Sequence, residues 1–196
     1  MRACTLAFIL RIGPLMHRRN LLSAIDSYLT RHPEEDAVAR RFKTLLEDYE
    51  DCFQRDCWPG HITGSAWLVS PDRQSVLLTH HRKLNMWLQL GGHSDGEGNT
   101  PGVAIREAHE ESGLAVELLD SEIFDLDVHE IPARKTYPAH HHFDVRYQMQ
   151  AASEKFRVSA ESLDLAWVKI DELERYTEEE SILRMRRKWH KSNTKT

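Results

Sequence analysis

The stretch Arg106-Glu107-Ala108-His109-Glu110-Glu111-Ser112-Gly113-Leu114 sets three carboxylates and an arginine within a turn and a half of expected helix, fourteen residues after the pair Gly91-Gly92. Glu107 lies three positions before Glu110 and four before Glu111, so all three project from one helix face. Like charges so placed repel, each pair costing a few tenths of a kcal/mol on an exposed helix. A hard divalent cation turns that cost into a gain, because Mg2+ takes oxygen ligands. The plainer alternative is a solvated acidic face on which Arg106 pairs with Glu110.

The preceding residues narrow the choice. Leu90 to Asn99 is rich in glycine and acid, Thr100-Pro101 supplies an N-cap and an N1 proline, and Gly113 is placed to end the helix. The expected unit is strand, glycine loop, short helix, loop. At these residues the chain resembles the Nudix hydrolase family, whose signature reads Gly, five residues, Glu, seven residues, then Arg-Glu-apolar-x-Glu-Glu-x-Gly-apolar. Gly92 and the run Arg106 to Leu114 fit at the required separation. The isolated glutamate falls instead on Gly98, with Glu97 next to it and Asp95 close by. Weaker resemblance extends from about Gly60 to Leu173.

The resemblance implies an α/β fold, the Nudix-type α/β/α sandwich with a mixed β-sheet. It implies a pyrophosphohydrolase that uses Mg2+, with Mn2+ as a substitute, on a nucleoside diphosphate linked to another moiety. Glu107, Glu110, Glu111 and the Gly91 carbonyl would hold the metal. Glu107 would be a ligand or the base that activates water, Arg106 would orient it, and Glu110 would share in catalysis. Glu97 is a candidate substrate-binding residue, and either Glu97 or Asp95 could stand in for the glutamate absent at Gly98.

A second group of polar residues sits on one expected strand. In His140-His141-His142-Phe143-Asp144-Val145-Arg146-Tyr147, alternation puts His140, His142, Asp144 and Arg146 on one face. Two imidazoles, a carboxylate and a guanidinium can hold an anion, Arg146 offering a phosphate a fork of donors. Water is the other possible neighbour of that face. The His-x-His pair also suits a transition metal, but no third ligand is evident from sequence. His93 is a further candidate for phosphate contact, and His80, His81, Arg82 and Lys83 add basic groups. Trp87, Tyr137 and Phe143 are candidates to stack on a base or to fill the core.

Composition bounds the remaining choices. A chain of 196 residues, 40% hydrophobic and 29% charged, suits a soluble domain with helical appendages. A net charge of −5 argues against a nucleic-acid coat, and the basic tail Arg184 to Lys195 suits a helix C-terminus. Cys4, Cys52 and Cys57 lack zinc-site spacing and form an odd number, which fits a reducing cytoplasm. The apolar run Leu6 to Leu10 is short for a signal peptide, and no segment reaches the length of a membrane span. The expected partner is a small nucleotide-type substrate rather than nucleic acid or membrane, and a homodimer is left open.

These residues need elements to position them. Helices are expected over Leu21 to Leu29 and Glu34 to Phe53, and strands over Ile62 to Ser70 and Ser75 to Thr79. Trp87 to Leu90 leads into the glycine loop. Further strands are expected within Leu118 to Ile131, His141 to Met149 and Leu163 to Val168, then helices over Ile170 to Tyr176 and Glu178 to Trp189. The expected organisation is a helical N-terminal extension over residues 16–59 and a domain over 60–196. Residues 1–15 would be dispensable if translation starts at Met16. Two other activities compete: an isomerase akin to isopentenyl-diphosphate isomerase, lacking that family's cysteine before Gly92, and a ligand sensor without catalysis.

Overall fold

Leu21, Ile25 and Tyr28 recur at helical spacing, and in the computed structural model they form the buried stripe of α1 (Ala3–Arg31), a helix longer than the expected Leu21 to Leu29. Residues 3–134, 137–159 and 162–193 are described, with side chains from Leu15 onward. Pro33 opens a 3-10 turn, Pro33–Glu35, before α2 (Asp36–Asp48). The second helix is therefore shorter than the expected Glu34 to Phe53, because Tyr49 turns the backbone to extended geometry.

Eight strands follow among the described residues: β1 (Gly60–Val69), β2 (Ser75–His81), β3 (Met86–Leu88), β4 (Leu90–His93), β5 (Val116–Leu118), β6 (Asp125–Ile131), β7 (His140–Ala151) and β8 (Ser162–Lys169). Helix α3 (Thr100–Ser112) separates β4 from β5, and a 3-10 turn (Ile170–Arg175) and α4 (Glu180–Asn193) follow β8. The strand order is β3-β2-β1-β7-β5, with β4 pairing with β1, β6 with β7 and β8 with β2. This is the expected α/β class with a mixed sheet and helices.

Two compact units are resolved, one of Met1–Thr63, His93–Thr100 and Leu126–Asp144, the other of Gly64–Gly92, Pro101–Asp125 and Val145–Thr196. In the first, α2 buries Ala39, Phe42, Leu45 and Leu46, and the Phe42 ring meets Phe143 edge-on at 5.2 Å. Arg18 donates to the Leu46 carbonyl at 3.1 Å, and Lys43 Nζ lies 2.5 Å from Asp26. These contacts join α1 to α2.

In the second unit, β2 runs antiparallel to β8 from Ser75 opposite Lys169 to His80 opposite Asp164. Val76 and Leu78 join Trp67, Val69, Val168, Ile182, Met185 and Trp189 in one core cluster. By strand alternation Leu68 and Leu77 face the other way, yet they are as fully buried. Both faces of this part of the sheet are therefore covered, as a layered α/β arrangement requires.

Three local expectations change. The stretch Leu118 to Ile131 divides into β5 and β6, because the Asp120 carboxylate accepts the Glu122 N–H at 2.9 Å and turns the chain. Ile170 to Tyr176 forms a 3-10 turn rather than an α-helix. Gly91 and Gly92 lie within β4 rather than in a loop, so their lack of side chains serves close packing. Gly113 ends α3 as expected, with φ +70° and its N–H donating to the His109 carbonyl at 2.7 Å.

Candidate functional site

Helix α3 lays its acidic face against β4 inside the second unit. The Gly91 N–H donates to Glu111 Oε1 at 2.8 Å. A Cβ on Gly92 would overlap the Glu107 carboxylate, and one on Gly91 would overlap Ser65. Glycine at 92 is thus what lets Glu107 pack on the strand backbone, while glycine at 91 leaves room for Ser65. Arg106 donates to Glu107 Oε1 at 2.6 Å and lies 3.6 Å from Glu110 Oε2. The Glu107 side chain is 15% exposed and that of Glu110 59% exposed, which grades the group from packed to open.

Such a donor set suits a hard cation. Carboxylate oxygens gathered beside a strand backbone that carries its own carbonyls are the ligands Mg2+ takes, usually keeping several waters. Nothing soft or nitrogenous is required there. Of the three carboxylates expected from spacing, Glu111 meets the Gly91 N–H, Glu107 packs on Gly92, and Arg106 lies beside Glu107 and Glu110.

The acidic loop belongs to the first unit. Gly98 is buried, and a Cβ there would overlap the side chain of His17 on α1, so no glutamate fits at the position the motif assigns it. Asp95, at φ +50°, receives a two-pronged pair from Arg55 at 2.6 and 2.5 Å. Glu97 is exposed, its N–H bonded to the Ser94 carbonyl at 2.9 Å. We expect Glu97→Gln to lower kcat several-fold and Asp95→Asn to act chiefly on thermal stability. Steady-state kinetics beside melting curves check this, and the reverse ranking would identify Asp95 as the working loop carboxylate.

His140 and His142 do share a strand face, and that face is largely buried rather than washed by water. His61, which the sequence reading did not single out, joins them from β1. Its ring centroid is 5.1 Å from that of His140 and 4.9 Å from that of His142. The His93 ring stands 5.1 Å from His61 and 5.0 Å from His142, and His129 lies 5.5 Å from His142. Thr63 Oγ1 donates to Asp144 at 2.9 Å, the next pair along the same two strands.

Burial first, then the neighbouring His93 and His140, lowers the His61 pKa to about 4. Burial first, then His93 and His61, lowers that of His142 to about 2. Both rings are neutral at pH 7. A neutral imidazole brings no charge to an anion but can still donate one N–H to it.

Arg146 belongs to the second unit. It is 1% exposed and donates to Asp125 at 3.0 Å in the second unit. Arg184, at 2.9 and 2.7 Å, and Lys188, at 2.6 Å, bind the same carboxylate. The guanidinium expected to grip a phosphate thus has a buried carboxylate as its partner. Of the candidate stacking rings, Trp87 lies parallel to His80 at 5.0 Å, Tyr137 is exposed and Phe143 is buried.

His61 was hidden for a simple reason. It lies some eighty residues before His142 in the chain, and nothing in Gly60-His61-Ile62 marks it apart from a polar residue in an apolar strand.

The model of the NUDIX domain matches residues 61–188. Among solved structures, a NUDIX-family hydrolase from Clostridium perfringens is similar at 26% identity and a TM-score of 0.51, covering 65% of this chain and 95% of that one. The MutT protein from Methanosarcina mazei Go1 is similar at 16% identity and 0.56, covering 68% and 95%. The Nudix hydrolase RenU from M. smegmatis is similar at 18% identity and 0.53, covering 71% and 90%. No curated protein matches the chain. No described helix is long and apolar enough to cross a membrane.

Proposed function

The chain belongs to the NUDIX domain family, and on that premise we propose that it is a Mg2+-dependent pyrophosphohydrolase, cleaving the diphosphate linkage of a nucleoside diphosphate joined to another moiety. One observation supports the reading: Gly92 in β4 admits the Glu107 carboxylate of α3 to the strand backbone, where Arg106 binds it and the Gly91 N–H binds Glu111. A solvated acidic face would not need glycine at 92.

Mg2+, held by Glu107, Glu110, Glu111 and the Gly91 carbonyl, would neutralise phosphate oxygens and favour an ionised water. Glu107, packed against Gly92 and bonded to Arg106, is the carboxylate held most firmly. It receives the proton of the attacking water. The water oxygen bonds to phosphorus as the bridging P–O bond breaks, and the departing phosphate keeps that electron pair. Arg106 fixes the orientation of Glu107 and thereby where the proton goes.

The test is a panel of nucleoside diphosphate compounds offered to the full chain with Mg2+ or Mn2+, scored by phosphate products. Metal-dependent turnover of at least one compound is expected. Saturable nucleotide binding without turnover across the panel would make the chain a sensor instead.

A further inference from the structure

The three imidazoles of His61, His140 and His142 each offer a ring nitrogen, and these nitrogens all lie within 4.8 Å of one another. His61 is 1% exposed, and neither of its ring nitrogens makes a well-formed hydrogen bond, the Cys57 backbone acting on it only weakly. Burying polar nitrogens so poorly satisfied is destabilising, so the imidazole calls for a ligand. His140 is already set for one. Its Nδ1 faces the Pro138 carbonyl at 2.9 Å and must therefore carry the proton, leaving Nε2 as a lone-pair donor. A carbonyl behind a ligating histidine is the usual device for fixing tautomer and ring orientation.

We propose that His61, His140 and His142 form a transition-metal site of the zinc class, separate in its ligands from the carboxylate site that holds Mg2+. Three imidazole nitrogens in a buried setting suit Zn2+, Co2+ or Ni2+ and poorly suit Mg2+, which prefers oxygen. Bonds of about 2.0–2.1 Å place tetrahedral nitrogens roughly 3.3–3.4 Å apart, so the rings draw together when the ion enters. Three protein ligands leave a fourth position for water or an anion, the arrangement found in catalytic rather than structural zinc sites. The His93 ring borders that space from β4, and the Trp58 ring closes on His140 at 4.8 Å.

The experiment is a calorimetric titration of the untagged, chelator-stripped full chain with Zn2+, with Mg2+ in excess to occupy the carboxylates. One equivalent should bind, and the melting temperature should rise. Changing His61, His140 or His142 to Phe should weaken binding on the order of 100-fold or more, since even the groups behind a ligand contribute 10–100-fold. Glu107→Gln should keep the zinc stoichiometry. X-ray absorption of the zinc-loaded wild type should show imidazole scattering from three rings, a readout that stands if a histidine variant fails to fold. No binding, binding kept in all three histidine variants, or a zinc shell dominated by oxygen would each overturn the site.

Discussion

Glu107→Gln is expected to lower kcat by about 10²–10⁴-fold, the range for removal of a general base, while the melting temperature moves by less than about 2 °C. Glutamine keeps the volume that fills the space above Gly92 and can still accept from Arg106, so packing survives. What goes is the charge that binds a cation and the basic oxygen that takes a proton. Glu110→Gln should also depress kcat, but its side chain is more open and more loosely tied to Arg106, so raised Mg2+ should recover part of the loss. The ordering is informative. Activity near wild type in Glu107→Gln at saturating Mg2+ would remove the carboxylate face from the mechanism.

Asp125→Asn is expected to cost about 3–5 kcal/mol, or roughly 10 °C in melting temperature, because it removes the charge of a buried carboxylate on which three cations converge. Arg146, Arg184 and Lys188 all converge on this fully buried carboxylate. Arg146→Ala should destabilise comparably by opening a cavity and leaving Asp125 short of a donor, and KM should stay unchanged. This reverses the expectation from strand alternation, in which Arg146 would bind substrate and its loss would raise KM at constant stability. The pH dependence supplies a second check. Burial alone would raise the Asp125 pKa, but the Arg184 hydrogen bond and the charges of Arg146 and Lys188 hold it below the usual carboxylate value. A depressed carboxylate stabilises the fold above its unfolded pKa and loses that contribution as pH falls through the folded value. Wild type and Asp125→Asn should therefore differ most at neutral pH, with the difference shrinking from about pH 4 downward and closing only as pH falls through the lower folded value, read in urea titrations. An Arg146→Ala variant of unchanged stability and raised KM would return the guanidinium to the substrate.

How far the chain could be read from its residues varied with distance along it. Glu107, Glu110 and Glu111 share one helix, so the 3.6-residue period alone brings them together, and the thirteen residues of α3 begin at Thr100 and stop at Gly113 for reasons of capping chemistry visible in the string. Only part of α1 was legible: Leu21, Ile25 and Tyr28 mark its buried stripe, but the helix runs from Ala3 to Arg31, beyond the expected Leu21 to Leu29. Alternation likewise put His140 and His142 on one face of β7. It could not say what that face meets. Period two assigns a side of the strand, whereas burial depends on the elements packed against that side, and both sides of β7 turn out to be covered. Hence Arg146 goes to Asp125 rather than to solvent or phosphate. Gly98 shows the same limit, since only α1 folded over it puts His17 where a glutamate side chain would have to stand. That Glu107, Glu110 and Glu111 share a helix face was legible because a local period builds it. His61 beside His140 and His142, and the cations around Asp125, were not, because strand pairing and helix packing join residues whose separation in the chain carries no period at all.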